Sequence, residues 1–251
     1  MAATQQTGLF GKLPAHGDFV MRNLPSGFVN AWDEWLQHYI AGSREQLGQD
    51  WLNIYLTSPI WRFAFSPGVI DSAGWAGIML PSVDRVGRYY PLSAITRLPE
   101  NTNPLEFITL QTNWFAEVEE LCLQALNGEM SIDDLSAQIN SLDLMVHSSY
   151  AHNRLLGEAN TAALQIDMEY EEQLPLSVYP YLFNSVLQGG FASYGVWTSS
   201  GSERVQPCLF LTQSLPPISG LTAMLDGQWQ HWGWQQPCRL KEFKAVEELH
   251  E

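Results

Sequence analysis

Charged and hydroxyl side chains that could do chemistry concentrate in two short, turn-forming segments of the first hundred residues. They are Lys12, His16 and Asp18 in the first segment and Ser82, Asp84, Arg85 and Arg88 in the second. A histidine beside a carboxylate can act as a general acid–base pair. Arginine forks suit a carboxylate or a phosphate group. Both segments are therefore candidate partner-binding loops.

The same side chains could instead form an internal network that holds the fold. Asp18 could accept hydrogen bonds from backbone amides of its own loop, or pair with an arginine. Arg62 lies between two aromatic residues of a predicted strand. An unpaired buried charge is costly, so we expect Arg62 to have an acidic partner. Asp18 and Asp84 are the acids that could neutralise Arg62, Arg85 or Arg88.

A hydrolytic site is a further alternative. Ser82, His16 and Asp84 would supply a nucleophile, a base and an acid if the fold brought them together. The chain has no Gly-x-Ser-x-Gly elbow that would present a nucleophilic serine. The sequence therefore predicts a protein that is not an enzyme.

Metal and nucleotide sites lack the spacing they need. Asp143, His147 and His152 are irregularly spaced, which is more typical of solvated loop residues than of metal ligands. Neither Gly-x-x-x-x-Gly-Lys-[Ser/Thr] nor Gly-x-Gly-x-x-Gly occurs. We expect no metal and no cofactor.

The net charge limits the classes of partner, and the cysteine content indicates the cellular compartment. The chain has 12 basic and 27 acidic residues and a net charge of −15, which repels nucleic acid and anionic lipid. Its three cysteines form no Cys-x-x-Cys pair, which favours a reduced compartment. The N-terminus resembles no secretion signal, and no apolar run approaches about 20 residues. We expect a cytoplasmic protein that neither binds nucleic acid nor inserts into a membrane.

Hydrophobic periodicity predicts the elements that position the two polar loops. In the first half, strands are predicted at 7–12, 60–66, 75–80 and 89–96, and 18–20 could rejoin a strand. A helix is predicted from Ser26 to about Gly48, a second from 104 to 126, and a third from Ser131, which begins a capping-box variant. The loop at 81–88 then connects two core strands.

The second half has a less regular pattern. We predict a helix at 176–187, strands at 194–198, 205–211 and 228–234, a loop at 147–163, and a docked helix at 239–251. Trp229, Trp232 and Trp234 alternate as on one strand face, which favours packing over a ligand platform. The predicted division is an N-terminal domain at 1–146 and a C-terminal α/β extension at 147–251 packed against it.

Four segments in register carry a family resemblance. They are GLFGKLPAHGDFV at 8–20, WDEWL at 32–36, SPIWRF at 58–63 and PSVDRVGRYYPL at 81–92. In this order and spacing the chain resembles the TagF (ImpM) family of type VI secretion accessory proteins. The resemblance is dense over residues 8–97 and thins beyond about residue 130.

The resemblance implies a fold and a function. The implied fold is α+β and longin- or SNARE-like, an antiparallel sheet flanked by helices, here with a mixed α/β C-terminal extension. The implied function is post-translational repression of the secretion system by binding the forkhead-associated (FHA) scaffold protein. A hydrolase of the associated phosphorylation circuit and a structural accessory subunit stay as alternatives. Oligomeric state is left open.

Overall fold

Seven strands form one sheet in the computed structural model, which describes residues 6–144 and 178–238. The strands are β1 (Thr7–Gly11), β2 (Val20–Arg22), β3 (Trp61–Phe65), β4 (Trp75–Leu80), β5 (Leu92–Arg97), β6 (Gly195–Ser199) and β7 (Cys208–Thr212). Every neighbouring pair is antiparallel, and the order is β2-β1-β5-β4-β3-β6-β7. This confirms the predicted α+β class and the antiparallel sheet.

Helices cover both faces of this sheet. They are α1 (Ser26–Leu47), α2 (Trp51–Leu56), α3 (Pro104–Leu110), α4 (Thr112–Leu126), α5 (Ile132–Ser141), α6 (Tyr179–Gly190) and α7 (Ala223–Asp226). Helices α1, α2 and α7 pack on one face, and α3 to α6 pack on the other. Because both faces are covered, every residue of β4 is buried. A longin-like description is compatible with this arrangement.

The two faces of the sheet differ in composition. Phe63 and Trp197 lie in the cluster under α1, where Trp32 stacks on Trp35 with ring centroids 5.1 Å apart. The opposite cluster is mostly aliphatic and includes Ala64 and Ile78. Successive strand residues point to opposite faces, so β3 sends Phe63 to one cluster and Ala64 to the other.

The predicted helix at 104–126 is two helices. The first part, α3, is capped by Asn103, whose side chain accepts hydrogen bonds from the amides of Leu105 and Glu106. Gln111 leaves helical geometry, with φ −87° and ψ 31°, and ends α3 one residue before α4 begins. The predicted capping serine of the third helix is confirmed, since the Ser131 hydroxyl accepts from the amide of Asp134 at 3.1 Å.

The predicted strand at 228–234 is wrong. These residues form turns, with Gly233 at φ +83° and the Trp234 amide donating to the carbonyl of Trp229 at 2.9 Å. The indole N–H groups bond elsewhere: Trp232 donates to Asp226, and Trp234 donates to the carbonyl of Gly220. Trp229 and Trp234 pack on Phe210 of β7. The alternation of tryptophans thus serves packing, as expected, without a strand.

The described C-terminal residues continue the sheet of the first half. Strand β6 pairs with β3, placing Trp197 opposite Phe63, and β7 pairs with β6. The division between residues 146 and 147 stays a prediction. The predicted loop at 147–163, the helix at 239–251 and the residues His147 and His152 lie outside the described residues.

Candidate functional site: a polar junction between two loops

The two polar loops meet because of the strand order. β1 and β5 are antiparallel neighbours, so the loop that follows β1 lies beside the loop that precedes β5. Gly11 allows this approach: it has φ +133°, and a Cβ there would lie 2.0 Å from the carbonyl oxygen of Pro91. We call the contact between residues 12–19 and 81–91 the loop junction.

Asp84 organises the loop junction. Its Oδ1 accepts hydrogen bonds from the amides of Val86 (3.0 Å) and Arg88 (2.8 Å). Its Oδ2 accepts from Lys12 Nζ and Arg88 Nε, each at 2.7 Å. The carbonyl of Asp84 accepts from the amide of Gly87, which turns the chain at φ +86°. One carboxylate therefore fixes its own loop and ties it to the loop after β1.

The surroundings of Asp84 favour the ionised carboxylate. Burial alone would raise its pKa. Hydrogen bonds from Lys12, from Arg88 and from the amides of Arg88 and Val86 outweigh burial and hold the pKa below the usual range of an aspartate. Both Lys12 and Asp84 are buried, so their charges neutralise each other away from water.

Ser82 and Tyr55 complete the buried side of the junction. The Ser82 hydroxyl donates to the carbonyl of Lys12 at 2.6 Å. The Tyr55 hydroxyl, on α2, donates to the carbonyl of Ser82 and accepts from its amide, both at 2.9 Å. Burial raises the pKa of Tyr55 well above its usual value, so the phenol stays protonated.

The residues of the hydrolase alternative are close in the fold but do not form a triad. The Ser82 hydroxyl is directed at a backbone carbonyl, and Asp84 bonds Lys12 and Arg88. His16 joins the junction through its backbone, since its carbonyl accepts from the amide of Arg85 at 2.9 Å. Within residues 6–144 and 178–238, no hydrogen bond links the His16 side chain to Ser82 or Asp84. The geometry therefore gives the serine no histidine base.

The solvent side of the junction carries the remaining predicted residues. Asp18, Arg85 and Arg88 are exposed. Arg88 donates from Nη2 to the carbonyl of Gly17, while the Arg85 guanidinium rests over Gly17, with Nη2 3.3 Å from the position of a Cβ there. Asp18 accepts from the amide of Phe19 at 2.8 Å, which is the loop-amide interaction expected for it.

Aromatic residues that the sequence analysis did not single out support this surface. Phe19 lies 4.9 Å from the ring of Tyr90, and Lys12 Nζ lies 4.9 Å from the centre of the Phe19 ring. Tyr90 donates from its hydroxyl to Asp33 on α1 at 2.5 Å. Burial and this carboxylate raise the pKa of Tyr90. The motif segments containing Phe19, Asp33 and Tyr90 were the available signal, but no spacing indicated that they meet.

The acidic partner expected for Arg62 exists, but its predicted identity is wrong. Arg62 donates from Nε and Nη2 to the two carboxylate oxygens of Glu119, at 2.5 Å and 2.9 Å. Glu119 lies on α4, one of the helices on the side of the sheet to which Arg62 points. Asp84 is bonded to Lys12 and Arg88, while Asp18 is exposed in the other loop. Neither acid therefore neutralises Arg62.

Across the described residues, no group of three or more His, Cys, Asp or Glu side chains is placed to hold a metal ion. No described helix has the length and apolar character required to cross a bilayer.

The fold and the junction define an α+β protein in which a buried charged network supports a small polar surface at one end of the sheet. Residues 8–142, more than half of the chain, match the family described as TagF N-terminal domain, Type VI secretion system-associated. The chain belongs to this family. All seven candidate site residues lie within the matched range, and the family resemblance read from the sequence is confirmed.

A solved structure supports the same relationship. The chain is similar to the crystal structure of PA0076 from Pseudomonas aeruginosa PAO1, with 31% sequence identity and a TM-score of 0.73. The similarity covers 94% of this chain and 99% of that chain. It therefore extends beyond residue 142 into the part that contributes β6 and β7. No curated protein sequence matches the chain significantly.

Proposed function

We propose that the protein is a cytoplasmic, post-translational negative regulator of a type VI secretion system, which acts by binding and sequestering the FHA-domain scaffold protein of the same system. The observation that carries the proposal is the family match over residues 8–142, which associates the chain with type VI secretion. The regulatory role and the scaffold partner follow from the family resemblance.

In this proposal the repressor works by occupancy and without turnover. The fraction of scaffold protein removed depends on the dissociation constant and on the amounts of the two proteins. The geometry of Ser82 is in keeping with a binding role, because its hydroxyl is engaged with the carbonyl of Lys12.

The proposed contact surface is the solvent side of the loop junction. Lys12, Ser82 and Asp84 are buried and support the loops, so their contribution to binding is indirect. Asp18, Arg85 and Arg88 are exposed, and His16 is half-buried beside them. The exposed residues are the ones available to a partner.

Calorimetric titration of the purified protein into the scaffold protein tests this function. We expect saturable binding with a dissociation constant below about 10 μM. Absence of binding between two folded proteins would refute sequestration of this scaffold. The variant Arg204→Glu, which changes an exposed arginine outside the junction, should bind like the wild type.

The secretion phenotype separates repression from the other functions. Deleting a repressor should increase secretion, whereas deleting a structural accessory subunit should abolish it. A hydrolase of the phosphorylation circuit would lose repression when Ser82, His16 or Asp84 is replaced in a protein that still folds and binds the scaffold. Full repression by such variants would exclude that alternative.

A further inference from the structure

The exposed side of the loop junction combines cationic and apolar side chains. We call Phe19, Arg85, Val86 and Arg88 the junction rim. Phe19 is 46% exposed and Val86 is 65% exposed, which is high for large apolar side chains. Arginine and aromatic residues are enriched among the side chains that dominate binding energy at interfaces. The composition of the rim is therefore that of a contact surface.

Arg85 differs from most other cations of the described residues in having no acidic partner there. Lys12 and Arg88 bond Asp84, Arg62 bonds Glu119, and Arg22 lies 3.5 Å from Asp133. Arg44 stacks on the ring of Trp51. Within residues 6–144 and 178–238, the exposed arginines Arg85 and Arg204 have neither a carboxylate nor an aromatic ring against them. Of these two, Arg85 is the one in the junction.

The backbone that carries Arg85 is hydrogen-bonded to the loop that follows β1. Its amide bonds the carbonyl of His16 at 2.9 Å, and the preceding residue is the buried Asp84. A contact group on an ordered loop loses less conformational entropy when it binds than one on a mobile loop does. The loop backbone around Asp84 thus places the guanidinium of Arg85 at the surface, and the same loop carries Arg88.

We propose that the junction rim binds an acidic segment of the partner protein, with Arg85 as the principal charged contact and with Phe19 and Val86 contacting an adjacent apolar side chain. This rests on the proposed function, since it specifies the chemistry of that partner. The Arg85 guanidinium would donate two parallel hydrogen bonds to a carboxylate of the partner. The chain's net charge of −15 opposes an acidic segment at long range, as it opposes nucleic acid and anionic lipid. Because the Debye length is about 8 Å at physiological salt, the arginines of the rim dominate once a short segment is in contact.

Asp18 gives the proposal a second and opposite test. It is the exposed carboxylate in the same two loops, and its oxygen accepts only the amide of Phe19 among the hydrogen bonds within the described residues. A partner carboxylate at the rim would be repelled by it. Removing the charge of Asp18 should therefore strengthen binding, whereas reversing the charge of Arg85 should weaken it.

Binding to the scaffold protein is compared among full-length wild type, Arg85→Glu, Asp18→Asn and Arg204→Glu. We expect Arg85→Glu to weaken binding about 10-fold or more, and Asp18→Asn to strengthen it about 2-fold. Arg204→Glu makes the same charge change away from the junction and should shift the dissociation constant less than about 2-fold. Thermal denaturation of each variant shows that the fold is kept. Wild-type affinity in Arg85→Glu would overturn the inference and leave the proposed function standing.

A second probe keeps the inference testable if the scaffold protein does not bind. The probe is a fluorescein-labelled peptide of alternating Glu and Leu, with a peptide of alternating Gln and Leu as its control. We expect wild type to bind the acidic peptide, and Arg85→Glu to lose that binding. If the acidic peptide binds and the scaffold protein does not, the proposed function is refuted and the acidic-segment inference stands. Equal binding of the two peptides, or no binding of either, overturns the acidic-segment inference.

Discussion

The loop junction and the contact between β3 and α4 both remove charged side chains from water, and they do so differently. At the loop junction, Asp84 is buried and accepts four hydrogen bonds from two side chains and two backbone amides. Between β3 and α4, Arg62 and Glu119 form one bidentate pair, with 21% and 17% of their side chains exposed. The first arrangement defines the course of two loops. The second joins a helix to a sheet at a single point.

The difference shows what each charge does for the fold. The amides of Val86 and Arg88 lie in a loop without a ladder partner for them, and Asp84 supplies their acceptor. The backbone around Arg62 is already paired on both sides, by β4 and by β6. Loss of the Asp84 carboxylate therefore disturbs backbone and side chains together, while loss of the Arg62 pair disturbs side chains alone.

The largest expected effect is that of Asp84→Asn. Asparagine has a single side-chain oxygen, so it cannot replace both carboxylate oxygens as acceptors. Lys12 would stay buried without its counter-charge. We expect the melting temperature to fall by roughly 10 °C. Circular dichroism during heating measures it, and Asp18→Asn is the control, since an exposed carboxylate at the same junction should leave the melting temperature nearly unchanged. Similar losses in both variants would show that the buried position of Asp84 gives its carboxylate no special weight in stability.

The pH dependence of the melting temperature should reveal the contribution of the Asp84 carboxylate. The pKa of Asp84 is lowered in the folded state, so its stabilisation is fully present above the unfolded value of about 4 and is lost as pH falls through the lower folded value. We expect the gap in melting temperature between wild type and Asp84→Asn to be constant above about pH 5 and to narrow below about pH 4. Melting curves from neutral to acidic pH measure this gap. A gap that stays constant throughout would show that the Asp84 charge is not what stabilises the junction.

A smaller effect is expected for Arg62→Met. Methionine keeps much of the apolar stem and leaves Glu119 without its donor at a partly solvated position. We expect a loss of about 1–2 kcal/mol in the free energy of unfolding, measured by urea denaturation. The double variant Arg62→Met with Glu119→Gln should recover part of this loss, because no charge is then left unpaired. A loss as large as that of Asp84→Asn would mean that the two ion-pair sites are equivalent.

The sequence predicted this architecture unevenly, and the reason differs from element to element. Strand β4 was predicted with its observed bounds, because an apolar run lies between clear turn signals. The sequence also singled out the two polar loops, and Arg88 is one of the three arginines that it left open as the partner of Asp84. Glu119 was missed because it lies 57 residues from Arg62, and only the packing of α4 on that side of the sheet brings them together.

Other differences come from backbone geometry that the side-chain pattern does not encode. The helical spacing of apolar residues is the same before and after Gln111. The sequence pattern therefore gave no sign of the break between α3 and α4. Conversely, alternating tryptophans at 229, 232 and 234 predicted a strand, whereas turns place two of these rings on Phe210. Periodicity reports which side chains are buried more reliably than it reports the backbone that buries them.

The unequal aromatic content of the two sheet faces has an optical consequence. Among the described residues, the cluster under α1 contains Trp32, Trp35, Trp51, Trp61, Trp75 and Trp197, while the opposite cluster contains Trp114 as its one tryptophan. Intrinsic tryptophan emission and near-ultraviolet dichroism will therefore report mainly on the α1 side. A partner docking over α4 would change these spectra little, and a label on that layer would be needed to observe it.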